Sequence, residues 1–278
     1  MPADLAAWFD GFVPLPRGAN EQMYCQAWCD QVAQGSRSEF SLAVQGGWLA
    51  DNLSQVFIAG YQAAIRKTFP QVEWSGIAAF AVSEDRSDTN PLPGVVWHPH
   101  AEGILLTGYK TWIAAIAQVE QLVVKARGEQ TGQSGFFLVS AKLDRVHLDV
   151  HPSPSRLPDL SQGRAFLDEV VLPAASSLDP GGVAGFGRNE ALMIYAAFLA
   201  MVWRRTADAS LEKTTAAGIL RKLEQCFASP NAPVDVSAVD KSVQNLRQQL
   251  ADGQWASDQT FLRDQSLIAM YSRGLRNH

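Results

Sequence analysis

The sequence predicts an α+β protein: N-terminal helices, a central antiparallel β-barrel or sandwich, and a C-terminal helical bundle. Three observations carry this. Apolar residues recur at helical spacing as far as Pro70. From Gly76 to about Pro173 they fall into short β-rich runs separated by Gly, Pro, Asn, Asp and Ser. After a linker-like stretch, "AASSLDPGGVAGFG" at 174–187, the helical period returns. The boundaries that follow are a helical domain over 1–74, a β domain over 75–175 and a second helical domain over 186–278.

Each element can be justified in order. "NEQMYCQAWCDQVA" sets Met23, Trp28 and Val32 at near-helical spacing. "GGWLADNLSQVFIAGYQAAIRKTF" sets Leu49, Leu53, Val56, Phe57, Ala64 and Ile65 on one broad face, and Pro70 stops the helix. The strands are "GIAAFAVS", "GVVWH", "GILLTG", "QLVVKAR", "GFFLVSA", "RVHLDV" and "AFLDEVVLP". That many strands in so short a span suggest a barrel or sandwich. No crossover helices separate them, which argues against a parallel βαβ sheet. Gly108-Tyr109-Lys110 reads as a turn between two apolar runs. "NEALMIYAAFLAMVWRRTADASLEK" is apolar almost all round, the pattern of a buried helix. "FASPNAPVDVS" breaks the helices. Val239, Val243, Leu246 and Leu250 then form one stripe, and Phe261, Ile268, Tyr271 and Leu275 another.

Composition narrows the function. The chain has 278 residues, 47% hydrophobic and 18% charged, enough to bury a sizeable core. A net charge of −5 with scattered Lys and Arg argues against nucleic-acid binding. The N-terminus "MPADLAAWFDGFVPLP" has no basic region or long apolar core, so no signal peptide is expected. No apolar run has the length of a membrane span. Cys25, Cys29 and Cys226 make no disulfide framework, and a reducing cytoplasm fits. No metal site is expected. Cys25 and Cys29 share a helix face without a second ligand pair, and His98-Pro99-His100 reads as a loop. Gly181 to Gly187 reads as linker, and no Gly-x-Ser-x-Gly elbow is present.

Four segments, in order, resemble the acyl-CoA dehydrogenase family. "GYQAAIRKTFPQVEWSGIAAFAVSE" is similar to its last N-terminal helix and first strand. "GILLTGYKTWIAAIAQVEQLVVKA" is similar to its Leu-x-Gly-x-Lys-x-Trp-Ile-Thr strand. "GRAFLDEVVLP" resembles the run that ends its β domain, and "GRNEALMIYAAFLAMVWR" its first long C-terminal helix. The resemblance implies an acyl-CoA dehydrogenase-like fold with FAD as cofactor. It places Val82 and Ser83 against one part of the flavin ring and Trp112, Ile113 and Ala114 against another. Ser87 lies in the same flavin-contacting loop, and Lys110 has a structural role, closing the turn before Trp112.

The departures are specific. Ala114 replaces the family's Thr, so a hydroxyl is lost. The family's Thr-Glu-Pro-x-x-Gly-Ser-Asp shortens to Ser83–Asp88. No carboxylate stands late in the chain as base, and "QCFAS" at 225–229 is only a faint echo of the Gln-x-Phe-Gly-Gly segment. Glu190, at the family's alternative base position, is the catalytic candidate, its pKa raised by desolvation. The competing view makes Glu190 a first-turn carboxylate favoured by the helix dipole, with Asn189 as cap. The resemblance implies oxidation of a CH–CH bond in an acyl-CoA-type substrate, a homodimer, and an electron-transfer flavoprotein as partner. A non-catalytic homologue that binds acyl-CoA or a protein partner, and a flavin monooxygenase on the same scaffold, are the alternatives.

Overall fold

A computed structural model describes residues 7–9, 11–35, 38–152, 157–228 and 235–276. The chain forms two compact units: Met1–Lys67 with Gly185–His278, and Thr68–Ala184. The expected break around Ser229 and Pro230 and the first six residues of the N-terminal segment lie outside the described residues.

The first unit is helical. Asn20 caps α1 (Glu21–Ala27), which continues as a π-helical turn, Trp28–Ala33. Trp28 and Val32 are buried, but Met23 is 46% exposed, so it leaves the predicted stripe. The predicted single helix over 46–69 is two, α2 (Glu39–Leu49) and α3 (Leu53–Thr68). Asn52 divides them, because its Oδ1 accepts from the Gln55 N–H at 3.0 Å and starts a new helix. Next come α4 (Phe186–Arg205) and α5 (Leu211–Ala228). Here too one predicted helix is two: Thr206 turns extended, and the Ser210 Oγ accepts from the Lys213 N–H at 3.1 Å. The unit closes with α6 (Val236–Asp252), α7 (Gln259–Asp264) and α8 (Ser266–Arg276).

The centre of this unit is α4, in which every residue from Ala191 to Val202 is buried. That matches its all-round apolar sequence, which suits a helix with neighbours on every face. The approach is close enough to need glycine. A Cβ at Gly47 would lie 2.1 Å from the Ala197 carbonyl oxygen, and one at Gly60 2.5 Å from the Ile194 Cα. One buried carboxylate ties three helices together: Asp240 accepts from the Tyr195 and Ser272 hydroxyls, each at 2.7 Å.

The second unit is a seven-stranded sheet: β1 (Ile77–Ala81), β2 (Val96–His100), β3 (Gly103–Ala114), β4 (Val119–Gly128), β5 (Ser134–Ser140), β6 (Val146–Val150) and β7 (Gln162–Leu172). Every predicted strand is present. The path runs β1-β4-β2-β3-β7-β6, with β5 on the other edge of β4. Most pairs are antiparallel, but β1 and β2 each pair parallel to β4, so the sheet is mixed. Sequence patterning missed this because the crossover from β1 to β4 is made by the β2–β3 hairpin, not by a helix. His98-Pro99-His100 lies in β2 rather than in a loop. Pro99 is tolerated because β4 reaches only Val96 and Trp97 on that side.

The largest difference concerns β3. Gly108-Tyr109-Lys110 is no turn; the strand runs through it with register shifts between Leu106 and Gly108 and between Lys110 and Ile113. Gly108 has φ +130°, and a side chain there would strike the Gly94 carbonyl oxygen at 2.4 Å. The loop after β1 therefore lies beside β3. The Tyr109 N–H donates to the Pro93 carbonyl at 2.9 Å, and the Thr111 N–H to the Ser83 carbonyl at 3.0 Å.

Candidate functional site

Two places carry chemistry, one in each unit. In the sheet unit, the second register shift of β3 changes which way its side chains face. Ile113 is 2% exposed and belongs to the core, whereas Trp112 is 73% exposed. Trp112 achieves this at φ +58°, and Ala115 follows at φ +53°. A left-handed conformation costs a non-glycine residue about 1–2 kcal/mol. The sheet thus holds a large indole out of its core at an energetic cost.

Beside that indole is a cleft of about 450 Å³. Ser83, Glu84, Asp85 and Arg86 line it from the loop after β1, with Thr111 and Trp112 from β3. Leu92, His151 and Arg164 complete it. Arg164 is tethered across β6 and β7 by Asp149 at 2.8 Å. The Thr111 hydroxyl is buried without a hydrogen-bond partner. Such a group costs about 1–3 kcal/mol until something bonds to it.

The loop is held by two carboxylates. Lys110 is fully buried and its Nζ lies 2.6 Å from Glu84 Oε1, whose side chain is 46% exposed. Burial lowers the Lys110 pKa, and Glu84 opposes that shift. The Glu84 carboxylate occupies the space a side chain at Gly94 would take. Asp85 accepts from the backbone N–H groups of Leu92, at 3.0 Å, and Ser87, at 2.9 Å. Those bonds hold its carboxyl below the usual range.

Of the sequence-predicted flavin contacts, the structure brings Ser83 and Trp112 into one cleft. Val82 is 37% exposed next to Ser83. Ala114 pairs with Gln162 in the β3–β7 ladder. Ile113 faces the core, and exposed Ser87 serves the Asp85 turn rather than the cleft lining. Thr111, His151 and Arg164 escaped the sequence reading, and Glu84 entered it only as part of the Ser83–Asp88 loop. One signal was available: a lysine inside an apolar strand demands a carboxylate partner.

In the helical unit, α4 begins at Phe186 with Gly185 at its cap position. Asn189 is therefore inside the helix and caps nothing, and Glu190 lies in the second turn, beyond the orphan N–H groups of the first. The dipole explanation for Glu190 loses its basis. Instead Glu190 is partly buried, with Tyr271 of α8 in its electrostatic surroundings. Tyr61 of α3 is close to Tyr271, stacks on Phe57 at 5.2 Å and meets the edge of Phe186 at 6.2 Å. Burial pushes the Glu190 carboxyl up to about 7, and the Tyr271 hydroxyl opposes this. Burial likewise pushes the Tyr271 phenol well above its ordinary value, and Glu190 adds to that. The sequence marked Glu190 but gave Tyr271 only as a stripe residue.

Among the described residues, no group of three His, Cys, Asp or Glu could hold a metal ion. His98 instead contacts Glu129 at 3.0 Å. Cys25 is buried and burial raises its thiol pKa, as for a packing residue. No helix among the described residues is long and apolar enough to cross a membrane.

No protein-family model matches the sequence, and no curated protein does. Solved structures do. FkbI, for biosynthesis of the methoxymalonyl extender unit of Fk520, is 16% identical with TM-score 0.65 over 99% of this chain and 94% of its own. A glutaryl-CoA dehydrogenase from Mycobacterium smegmatis in complex with FADH2 is 12% identical with TM-score 0.54, over 99% and 84%. The prolyl acyl carrier protein oxidase AnaB is 14% identical with TM-score 0.57, over 92% and 86%. The chain has the acyl-CoA dehydrogenase fold: N-terminal helices, a mixed β-sheet and C-terminal helices.

Proposed function

We propose that this protein is a flavin-dependent oxidoreductase that oxidises a CH–CH bond of an acyl thioester, with acyl-CoA as the substrate class. The observation that carries the proposal is the place of Glu190, a part-buried carboxylate in the second turn of the helix whose next twelve residues are all buried, where burial pushes its pKa up to about 7. An ordinary glutamate is too weak a base for a carbon-bound proton. Burial strengthens it while leaving about half of it ionised at neutral pH. Glu190 then takes the proton from the carbon α to the thioester carbonyl.

The sheet unit fits FAD. Trp112 offers a flat apolar face, and the unpartnered Thr111 hydroxyl offers a polar contact for a ring edge. Ser83, Thr111 and Trp112 would hold the ring, with Val82, Ile113 and Ala114 beside them through backbone or small side chains. FAD, when bound, supplies the acceptor for the hydride. FADH2 in the M. smegmatis relative supports this cofactor for the fold. A homodimer and electron transfer to a flavoprotein partner belong to the same proposal.

The test begins with colour. Purified protein should carry or take up stoichiometric FAD and show flavin absorption. Anaerobic addition of a panel of acyl-CoAs should bleach it. Glu190→Gln should retain the flavin and slow bleaching about 10²–10⁴-fold, the usual worth of a general base. A colourless protein that takes up no FAD would reject this reading and favour a non-catalytic homologue that binds acyl-CoA. Yellow protein that no acyl-CoA bleaches, but that consumes oxygen with a reductant and an organic substrate, would favour a monooxygenase.

A further inference from the structure

We propose that Lys110 is a positioning residue for the cleft of the sheet unit: by holding the Glu84 carboxylate it fixes the loop after β1 as a preformed wall for the ligand. This rests on the reading of that cleft as the FAD site. The loop has no strand or helix between Val82 and Pro93, yet Ser83, Glu84, Asp85, Arg86 and Leu92 line the cleft. A wall without secondary structure keeps its shape only through its ties. Two backbone bonds pin its ends to β3, from the Thr111 N–H to the Ser83 carbonyl at 3.0 Å and from the Tyr109 N–H to the Pro93 carbonyl at 2.9 Å. Asp85 gathers the middle, accepting from the Ser87 and Leu92 N–H groups. The Lys110–Glu84 pair, at 2.6 Å, adds a side-chain tie from loop to strand.

Packing alone does not explain a lysine here. Lys110 is fully buried, and an apolar side chain of similar length would fill the site at no cost in desolvation. What the lysine adds is direction: it draws one chosen carboxylate of the loop onto β3.

Gly94, near the far end of the loop, provides the seat. The three atoms nearest to a Cβ at Gly94 all belong to the Glu84 carboxylate: Cδ at 2.6 Å, with Oε1 and Oε2 each at 2.7 Å. Gly94 is not among the glycines with positive φ, so the position uses the missing side chain rather than backbone freedom. The carboxylate thus lies between a lysine that attracts it and a glycine that makes room for it.

The experiment separates position from stability. Lys110→Met keeps the buried length and removes the charge, and Glu84, whose side chain is already 46% exposed, can turn to solvent. Full-length protein without FAD is digested briefly with trypsin, and cleavage after the exposed Arg86 of the loop is followed by mass spectrometry. FAD affinity is read separately, by fluorescence titration. Lys110→Met should leave Tm unchanged or raise it, cut about tenfold faster after Arg86 and bind FAD about tenfold more weakly, because the wall is no longer preformed. Gly94→Ala should do the same to cleavage and affinity by displacing the carboxylate while both charges remain, and it covers the case in which the methionine variant folds poorly. Combined, the two should add little to either alone, since each removes the same tie. Unchanged cleavage in both variants, faster cleavage with unchanged FAD affinity, or effects that add in full overturn the proposal. If the parent protein itself takes up no FAD, faster cleavage in both variants upholds the tie and removes only the reading of the cleft as the FAD site.

Discussion

Trp112 and Glu190 are exposed and buried in the opposite sense to their chemistry. In the sheet unit an indole is held in solvent on a left-handed backbone, while Lys110, two residues earlier, is fully buried. In the helical unit a carboxylate is partly buried at the head of twelve buried helical residues. The sheet obtains its exposed indole from backbone geometry, through a register shift and positive φ. The helices work through burial, which changes the proton affinity of one group. A sheet can re-aim a side chain by a bulge; a packed helix cannot, and instead alters the medium around it.

Glu190→Gln and Trp112→Gly break this comparison most sharply. The first should cost about 10²–10⁴-fold in flavin reduction with flavin content unchanged. The second should do the reverse and release flavin on dilution or gel filtration. Equal loss of flavin in both would show that the two places do not divide the work this way.

Gly47→Ala gives the next largest effect and tests the packing on which the helical unit depends. The new Cβ would meet the Ala197 backbone at 2.1 Å, so α2 and α4 must separate. Overpacking of this kind costs about 1–3 kcal/mol, which chemical denaturation would read. A neutral result would mean that α4 has room to move, and the packing that buries Glu190 would lose its rigidity. At position 112 the exchange to glycine should go the other way and raise stability by up to about 1 kcal/mol, because the left-handed strain disappears and an exposed side chain contributes little packing. A stability loss there would show that the indole packs more than its exposure allows.

The sequence showed the order helix, sheet, helix and all seven strands, because alternation and turn residues are local signals. Trp112 and Glu190 were legible through motif and position. Their states were not. The φ of Trp112 depends on β3 slipping register against β7, and the environment of Glu190 depends on burial and on Tyr271, which belongs to a distant segment. The partner of Lys110 lies 26 residues upstream, across a loop that no period describes. The helix breaks at Asn52 and Thr206 were missed for a different reason: apolar periodicity continues across them, and only capping side chains reveal them. The parallel pairs were missed because a hairpin, not a helix, makes the crossover.

The smallest expected effect is a pH dependence of stability that differs between the two units. The Glu190 carboxyl has an ordinary value of 4.5 and is raised to about 7 in the fold. Between those limits the folded chain keeps a proton that the unfolded chain has released, so stability falls as pH rises through the window. Below it both states are protonated and nothing is lost; above it the full cost applies. Glu190→Gln is neutral throughout, so its Tm relative to the parent should be flat at acidic pH, rise from pH 4.5 and level off above about 7. Glu190 keeps some solvent contact, which discounts the gain to about 1 kcal/mol, or about 2–4 °C. Asp85 gives the opposite sign. The Leu92 and Ser87 N–H groups lower its pKa from 3.8, so its contribution is present above that value and fades only as pH falls. The Tm difference between Asp85→Asn and the parent should therefore be flat across the window in which Glu190→Gln bends. If both curves bend together, a global transition is being read, and the separation into a backbone-built and a burial-built site fails.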